Sequence, residues 1–193
     1  MNNQDNRPIF SIIVAVHDQA ADVEKNLPAM LTQEFDSGYE VVVVDESSTD
    51  ETPDILKTLK EHFSHLYTTF VPKYRFQQNK RRLALTIGVK AAKGAWVVFI
   101  DASTTPPSPQ WLAELAEFAQ SPNNLLTGYI NRKNGNVRLR TYEEVAQARK
   151  TISRAERWRK GKNGKWKMAL MRECGYDFVV VRTELGHETL KLF

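Results

Sequence analysis

The chain has a single cysteine, Cys174, among 193 residues, which excludes an internal disulfide and a cysteine-based zinc cluster. A lone thiol usually packs as a small hydrophobe, so Cys174 is not expected to act as a nucleophile. No apolar run approaches the ~20 residues that span a bilayer. The stretch Met1–Pro8 is polar and lacks the apolar core of a secretion signal, so the expected location is the cytoplasm. Glycine is sparse, nine residues in all, and neither G-x-G-x-x-G after the first strand nor G-x-x-x-x-G-K-[ST] anywhere is present. That argues against a dinucleotide oxidoreductase and a P-loop ATPase. Internal repeats and low-complexity linkers are also missing. With 41% apolar and 26% charged residues, residues 1–193 suit one domain with a full core.

What is present begins with Val41-Val42-Val43-Val44-Asp45-Glu46-Ser47-Ser48-Thr49-Asp50. A β-branched run without alternation means that both faces of the strand are covered, as in a parallel sheet between helices. It stops on paired carboxylates and a hydroxyl-rich turn, and ligands of such sheets sit beyond the strands' carboxyl ends. Asp45 is placed there to accept hydrogen bonds from a base N–H or a ribose hydroxyl. The alternative is that Asp45 and Ser47 only satisfy backbone amides of the turn.

Four such runs recur, Ile9 to Val16, Glu40 to Val44, Leu66 to Val71 and Ala95 to Ile100, each followed by a helical pattern. In the first helix Val23, Leu27, Met30 and Leu31 share a face, and Pro28 is expected to bend it or to start a new turn. In the second, Thr52 is the expected N-cap with Pro53 next, ahead of the stripe Ile55, Leu56, Leu59 and Phe63. The third is expected to bury Leu83, Ile87 and Ala91 and to end at Gly94. The fourth carries Trp111, Leu112, Leu115 and Phe118. Alternation of this kind predicts an α/β fold on a mostly parallel sheet flanked by helices. Beyond residue 120 the rhythm changes. Leu125 to Ile130 and Val137 to Arg140 are expected to pair across Asn134-Gly135, and a basic helix is expected from about Tyr142 to Arg159. Asp177 to Val181 is expected to return to the sheet.

Three strand ends aim polar groups at one rim: Val16-His17-Asp18, Asp45 and Asp101-Ala102-Ser103. His17 alone is more often a satisfied structural histidine than a catalyst. Asp101 resembles a Mg²⁺ or Mn²⁺ ligand position beside a diphosphate, with Ser103 next to it. The plainer reading is a turn before Pro106-Pro107. Lys80, Arg81 and Arg82 open the third helix, where backbone N–H groups also favour phosphate; the alternative is a solvated basic turn.

With these residues in view, the chain resembles the nucleotide-binding half of a family 2 glycosyltransferase of the GT-A fold, from about Phe10 to Phe118. Phe10 to Asp18 is similar to a first strand reading S-I-I-V-P-V-Y-N. Tyr39 to Asp50 matches Y-E-I-I-V-V-D-D-G-S-T-D closely. Ala84, Gly88, Val89, Ala92 and Gly94 fit A-x-N-x-G-I-x-x-A-x-G, and Trp96 to Ser103 with Trp111-Leu112 stands where the family has a strand ending in D-A-D and a W-L helix. The resemblance implies a single Rossmann-like domain, residues 9–120 holding the nucleotide sugar and 121–193 a reduced acceptor half. It implies UDP as the usual nucleotide, bound by Val16, His17, Asp45, Lys80, Arg81, Arg82 and Asp101. It also implies a divalent metal, Mg²⁺ or Mn²⁺, at Asp101 and Ser103. The departures are specific: Ser103 replaces the second carboxylate of D-A-D, Thr86 the helix asparagine and His17 the first-strand tyrosine. One carboxylate makes metal binding weak and dependent on the nucleotide's phosphates. No acidic base segment or Q-x-x-R-W follows residue 120; Arg157-Trp158 echoes two letters, and Glu173 and Asp177 are the nearest candidate bases.

The expected activity is sugar transfer from a UDP-type donor to an acceptor. The alternative is a catalytically impaired relative acting as a nucleotide-binding or interaction module. Residues 138–172 hold twelve Lys/Arg against three Asp/Glu, an excess of +9, so the rest of a chain of net +4 carries −5. Such a segment suits an anionic partner, here expected to be a membrane surface contacted peripherally. Nucleic acid, with Trp158 and Trp166 as stacking platforms, rests on charge alone, and sequence-specific binding is not expected.

Overall fold

A computed structural model of the protein describes residues 9–72, 80–119, 125–130, 137–141 and 177–186. In chain order the elements are β1 (Phe10–Val16), α1 (Ala20–Leu31), β2 (Tyr39–Asp45), α2 (Thr52–His62), β3 (Leu66–Phe70) and α3 (Lys80–Ala91). Then follow β4 (Trp96–Ile100), α4 (Trp111–Ala119), β5 (Leu125–Ile130), β6 (Val137–Thr141), β7 (Phe178–Arg182) and a 3-10 turn over Thr183–Leu185. The expected basic helix, the Asn134-Gly135 turn, Cys174, Glu173 and all of the basic segment beyond Thr141 lie outside the described residues.

Among the described residues the strands form one sheet in the order β3-β2-β1-β4-β7-β5-β6. β3, β2, β1 and β4 are mutually parallel, β7 enters antiparallel to β4, and β5 and β6 continue antiparallel pairing. The strand expected near Asp177 does return to the sheet, and the expected pairing of the segments before and after residues 131–136 forms. β5 runs in the same direction as the parallel block, so the sheet is mostly parallel in sense.

Burial explains the non-alternating runs. Phe10, Ile12, Val14, Val41 and Val43 face one layer with Leu27 and Met30 of α1, Leu56 of α2 and Trp111 of α4. Ile13, Ala15, Val42 and Val44 face the other, against Ala84, Leu85 and Val89 of α3. β1 and β2 are thus apolar on both sides because each side meets a helix, whereas β3 at the sheet edge is partly exposed. The chain steps outward from β1 to β3 and then returns to place β4 on the other side of β1. In open α/β sheets such a reversal of strand order is where ligands bind, beyond the carboxyl ends of the strands.

Four local expectations differ from the structure. Of the two outcomes expected at Pro28, the new first turn does not occur, since α1 runs through it to Leu31. The carbonyl deprived of its donor belongs to Glu24, an exposed residue, where solvent satisfies it, while Leu27, Met30 and Leu31 hold the helix in the core. Thr52 is the first residue of α2 rather than its cap. Its amide donates to Asp50 Oδ1 at 3.0 Å, and its hydroxyl accepts from the Gln19 amide at 3.2 Å. On α3 the fully buried residues are Ala84, Leu85, Gly88 and Val89, with Leu83, Ile87 and Ala91 only flanking them. Gly94 lies beyond the end of α3: a Cβ there would stand 2.7 Å from the Phe10 carbonyl carbon, so it permits a close backbone approach rather than a left-handed cap.

Candidate functional site

The register fixes the rim. Val16 pairs with Asp45 and Asp45 with Phe70, so the turns carrying His17, Glu46 and Val71 leave the sheet side by side. β4 ends at Ile100 and puts Asp101 beside β1.

The turns after β1 and β2 are stitched together by the hydroxyl-rich run. The Asp18 amide donates to Ser48 Oγ at 2.9 Å, and the Thr49 amide returns to Asp18 Oδ1 at 2.6 Å. The Ala20 amide donates to Asp50 Oδ2 at 2.9 Å. Ser47 donates through its hydroxyl to the Val71 carbonyl, which ties in the end of β3. Asp18 and Ser47 both lie in the left-handed region, φ 48° and 65°, a strained conformation that this network sustains. Above all the Thr49 amide holds the Asp18 carboxyl below its usual range.

Asp45 closes the turn, one of the two roles left open by its sequence. Its Oδ1 accepts from the Ser48 amide at 2.9 Å and the Ser48 hydroxyl at 2.6 Å. That fixes the carboxylate's orientation, and Oδ2 has no hydrogen bond among the described residues. Glu46 follows, only 7% exposed and likewise without a side-chain hydrogen bond among the described residues. Burial pushes its carboxyl up, opposed by the positive fields of Arg81, His17 and Lys80 and assisted by Asp45. Sequence reading passed over Glu46 as half of a motif; its signal was a second carboxylate directly after a buried strand.

Asp101 has both oxygens engaged. Oδ1 accepts from the Ser103 amide at 2.9 Å and hydroxyl at 2.8 Å, and Oδ2 pairs with an Arg81 Nη at 2.6 Å. Burial raises the Asp101 carboxyl, but Ser103 and Arg81 together outweigh it and hold it below its usual range. The loop is held from below by Asn26 of α1, a buried residue that the sequence reading missed. Its Nδ2 donates to the Ala102 carbonyl at 2.9 Å, and its Oδ1 accepts from the Thr105 hydroxyl at 2.6 Å.

Of the eight residues expected at the site, the structure bonds Arg81, Asp101 and Ser103 into one cluster, while His17, Asp45 and Arg81 each stand near enough to act on Glu46. Lys80 does so too. Arg82 is exposed on the first turn of α3. Val16 has its side chain in the core and its carbonyl bonded to the Glu46 amide at 2.8 Å. His17 is exposed, 3.6 Å from Asp18 Oδ2.

The residues do not fit a resident divalent cation as they stand. Ser103 supplies a hydroxyl where a second carboxylate is needed, and the one carboxylate already carries a guanidinium. Among the described residues no group of three or more His, Cys, Asp or Glu is placed to hold a metal.

Comparison with known proteins agrees with this geometry. The model described as glycosyl transferase family 2 matches residues 11–183. Glycosyltransferase AglE of Haloferax volcanii is 32% identical over 106 residues, covering 54% of this chain and 33% of its own length. The mannosyltransferase PcManGT from Pyrobaculum calidifontis, solved with GDP-Man and Mn²⁺, superposes with a TM-score of 0.56 at 29% identity, over 65% of this chain and 36% of that one. Staphylococcus aureus TarS 1–349 with UDP-GlcNAc gives 0.50 at 26% identity, over 60% of this chain and 32% of that one. The chain spans about a third of the length of each of these three proteins.

Proposed function

Because the chain belongs to glycosyl transferase family 2, we propose that its strand-end site binds a nucleoside diphosphate sugar, UDP-linked, and passes the sugar to an acceptor. The observation that carries this reading is Asp45. It is a nearly buried carboxylate (9% exposed) at the end of a strand buried on both faces, oriented through Oδ1 by Ser48, with Oδ2 unbonded among the described residues. An oriented carboxylate at the carboxyl end of a parallel strand suits a base N–H. TarS has been solved with UDP-GlcNAc, which supports uridine here. PcManGT, solved with GDP-Man, makes guanosine the competing nucleotide.

In the proposed reaction an acceptor hydroxyl attacks the anomeric carbon. The bond to the diphosphate breaks with its electron pair leaving on the phosphate oxygen, and the acceptor's proton passes to a base. Lys80 and Arg81, in the first turn of α3, would supply positive charge to that leaving group. Among the described residues a divalent cation would find only Asp101 and Ser103, so its affinity would be weak and drawn mainly from the donor's phosphate oxygens. Ser103 in place of a carboxylate favours a second reading, a nucleotide-binding module without transfer, which predicts UDP-sugar binding with no hydrolysis of the donor.

The test is a melting series against nucleotides and nucleotide sugars. UDP or a UDP-sugar at about a hundred times its dissociation constant should add ~2.7 kcal/mol, a rise of roughly 5–10 °C for a domain this size. Asp45→Ala should abolish the rise. No shift with any nucleotide sinks the proposal.

A further inference from the structure

Arg81 and Asp101 form the ion pair of the site, and its geometry bears on how a diphosphate would be neutralised there. Arg81 rises from the first turn of α3 and bridges β1 and β4. One Nη donates to the Ala15 carbonyl at 3.3 Å and the other to Asp101 Oδ2 at 2.6 Å. The amide and hydroxyl of Ser103 fill Asp101 Oδ1. A cation approaching Asp101 therefore meets a guanidinium already seated on the oxygen it would use. Like charges at such separation disfavour each other even in a partly exposed site. A second carboxylate would shift that balance toward the metal, but position 103 offers a hydroxyl.

Arginine stays charged at any ordinary pH and has five N–H donors in a planar fork. Two are spent on Ala15 and Asp101, which leaves three to meet phosphate oxygens. Asp101 and Ala15 thereby fix the guanidinium in place instead of silencing it. We propose that Arg81, pinned between Asp101 and the Ala15 carbonyl, takes the place of the divalent cation, so that a nucleoside diphosphate binds this chain without metal. The inference rests on the strand-end site being the donor site.

Calorimetric titration of UDP into the full chain tests it, once in EDTA and once in millimolar Mn²⁺. Wild type should show dissociation constants within about threefold of each other. Arg81→Met, which keeps the stem and removes the fork, should bind at least about tenfold more weakly in EDTA, the loss expected for one charge-assisted hydrogen bond. Arg81→Lys, which restores charge without the fork, should fall between. Wild-type binding that requires Mn²⁺ overturns this inference alone and leaves the donor site standing. Binding in neither buffer overturns the donor-site reading and this inference with it. The wild-type comparison decides the matter even if the variants fold poorly.

Discussion

At Asp45 one carboxylate oxygen closes a turn and the second is unbonded among the described residues, so the turn and ligand readings of the sequence are compatible. Glu46 is the less comfortable neighbour. Its folded pKa is raised above the ordinary 4.5, first by burial, so the folded chain holds a proton there more tightly than the unfolded chain. The stability this contributes is fully present below the unfolded value and is lost as pH rises through the folded one. Glu46→Gln should therefore melt higher than wild type at about pH 7.5, with the difference closing as pH falls below 4.5. Asp101 has the opposite sign. Its depressed carboxyl contributes above the unfolded value, and that contribution disappears as pH falls through the folded one. Melts across pH check the Glu46 prediction. A variant less stable than wild type at the higher pH would show that the charged form is held by Arg81 and Lys80 more strongly than burial opposes it.

At the scale of elements, what the sequence made legible depended on whether a local rule was the deciding one. β2 was readable because Val41 to Val44 cannot alternate and still be soluble, so two covering layers follow. The buried face of α3 was misread because periodicity favoured the larger Leu83 and Ile87. The sheet instead receives Ala84 and Gly88, since small residues let the helix axis approach Ile13. The Thr52 hydroxyl was expected to cap its own helix but is taken by the Gln19 amide, 33 residues away, a partner no local rule sees. The insertion of β7 between β4 and β5 was likewise illegible, because only pairing across the chain decides it. Gly88 allows a quantitative test. An added Cβ would lie 2.5 Å from Ile13 Cγ2. Alanine gains ~1 kcal/mol of helix propensity but overpacks a core at about 1–3 kcal/mol. Gly88→Ala should therefore be destabilised by roughly 1 kcal/mol in urea unfolding, and Ile13→Ala in the same chain should cost less than the two changes added separately. A more stable Gly88→Ala would show that α3 stands farther from the sheet.

At the scale of the molecule, the polar residues converge on one end of the sheet because β1, β2, β3 and β4 are parallel. Every strand of the parallel block delivers its last residue to the same rim, while the opposite rim is closed by a structural network. There Ser11 donates to Glu40 at 2.7 Å, and Glu40 and Ser11 accept from the Lys93 and Gly94 amides at 2.6 and 2.9 Å. The two rims are thus chemically distinct, one satisfied internally and one with carboxylate and guanidinium groups to spare. The most direct measurement is a backbone amide map of the full chain titrated with UDP by heteronuclear NMR. The shifts should gather at His17, Glu46, Ser47, Arg81 and Ala102, and stay small at Gly38, Lys93 and Gly94. Saturable shifts centred on the latter group, or none at any of these amides, would contradict a nucleotide site at the carboxyl ends of β1, β2 and β4.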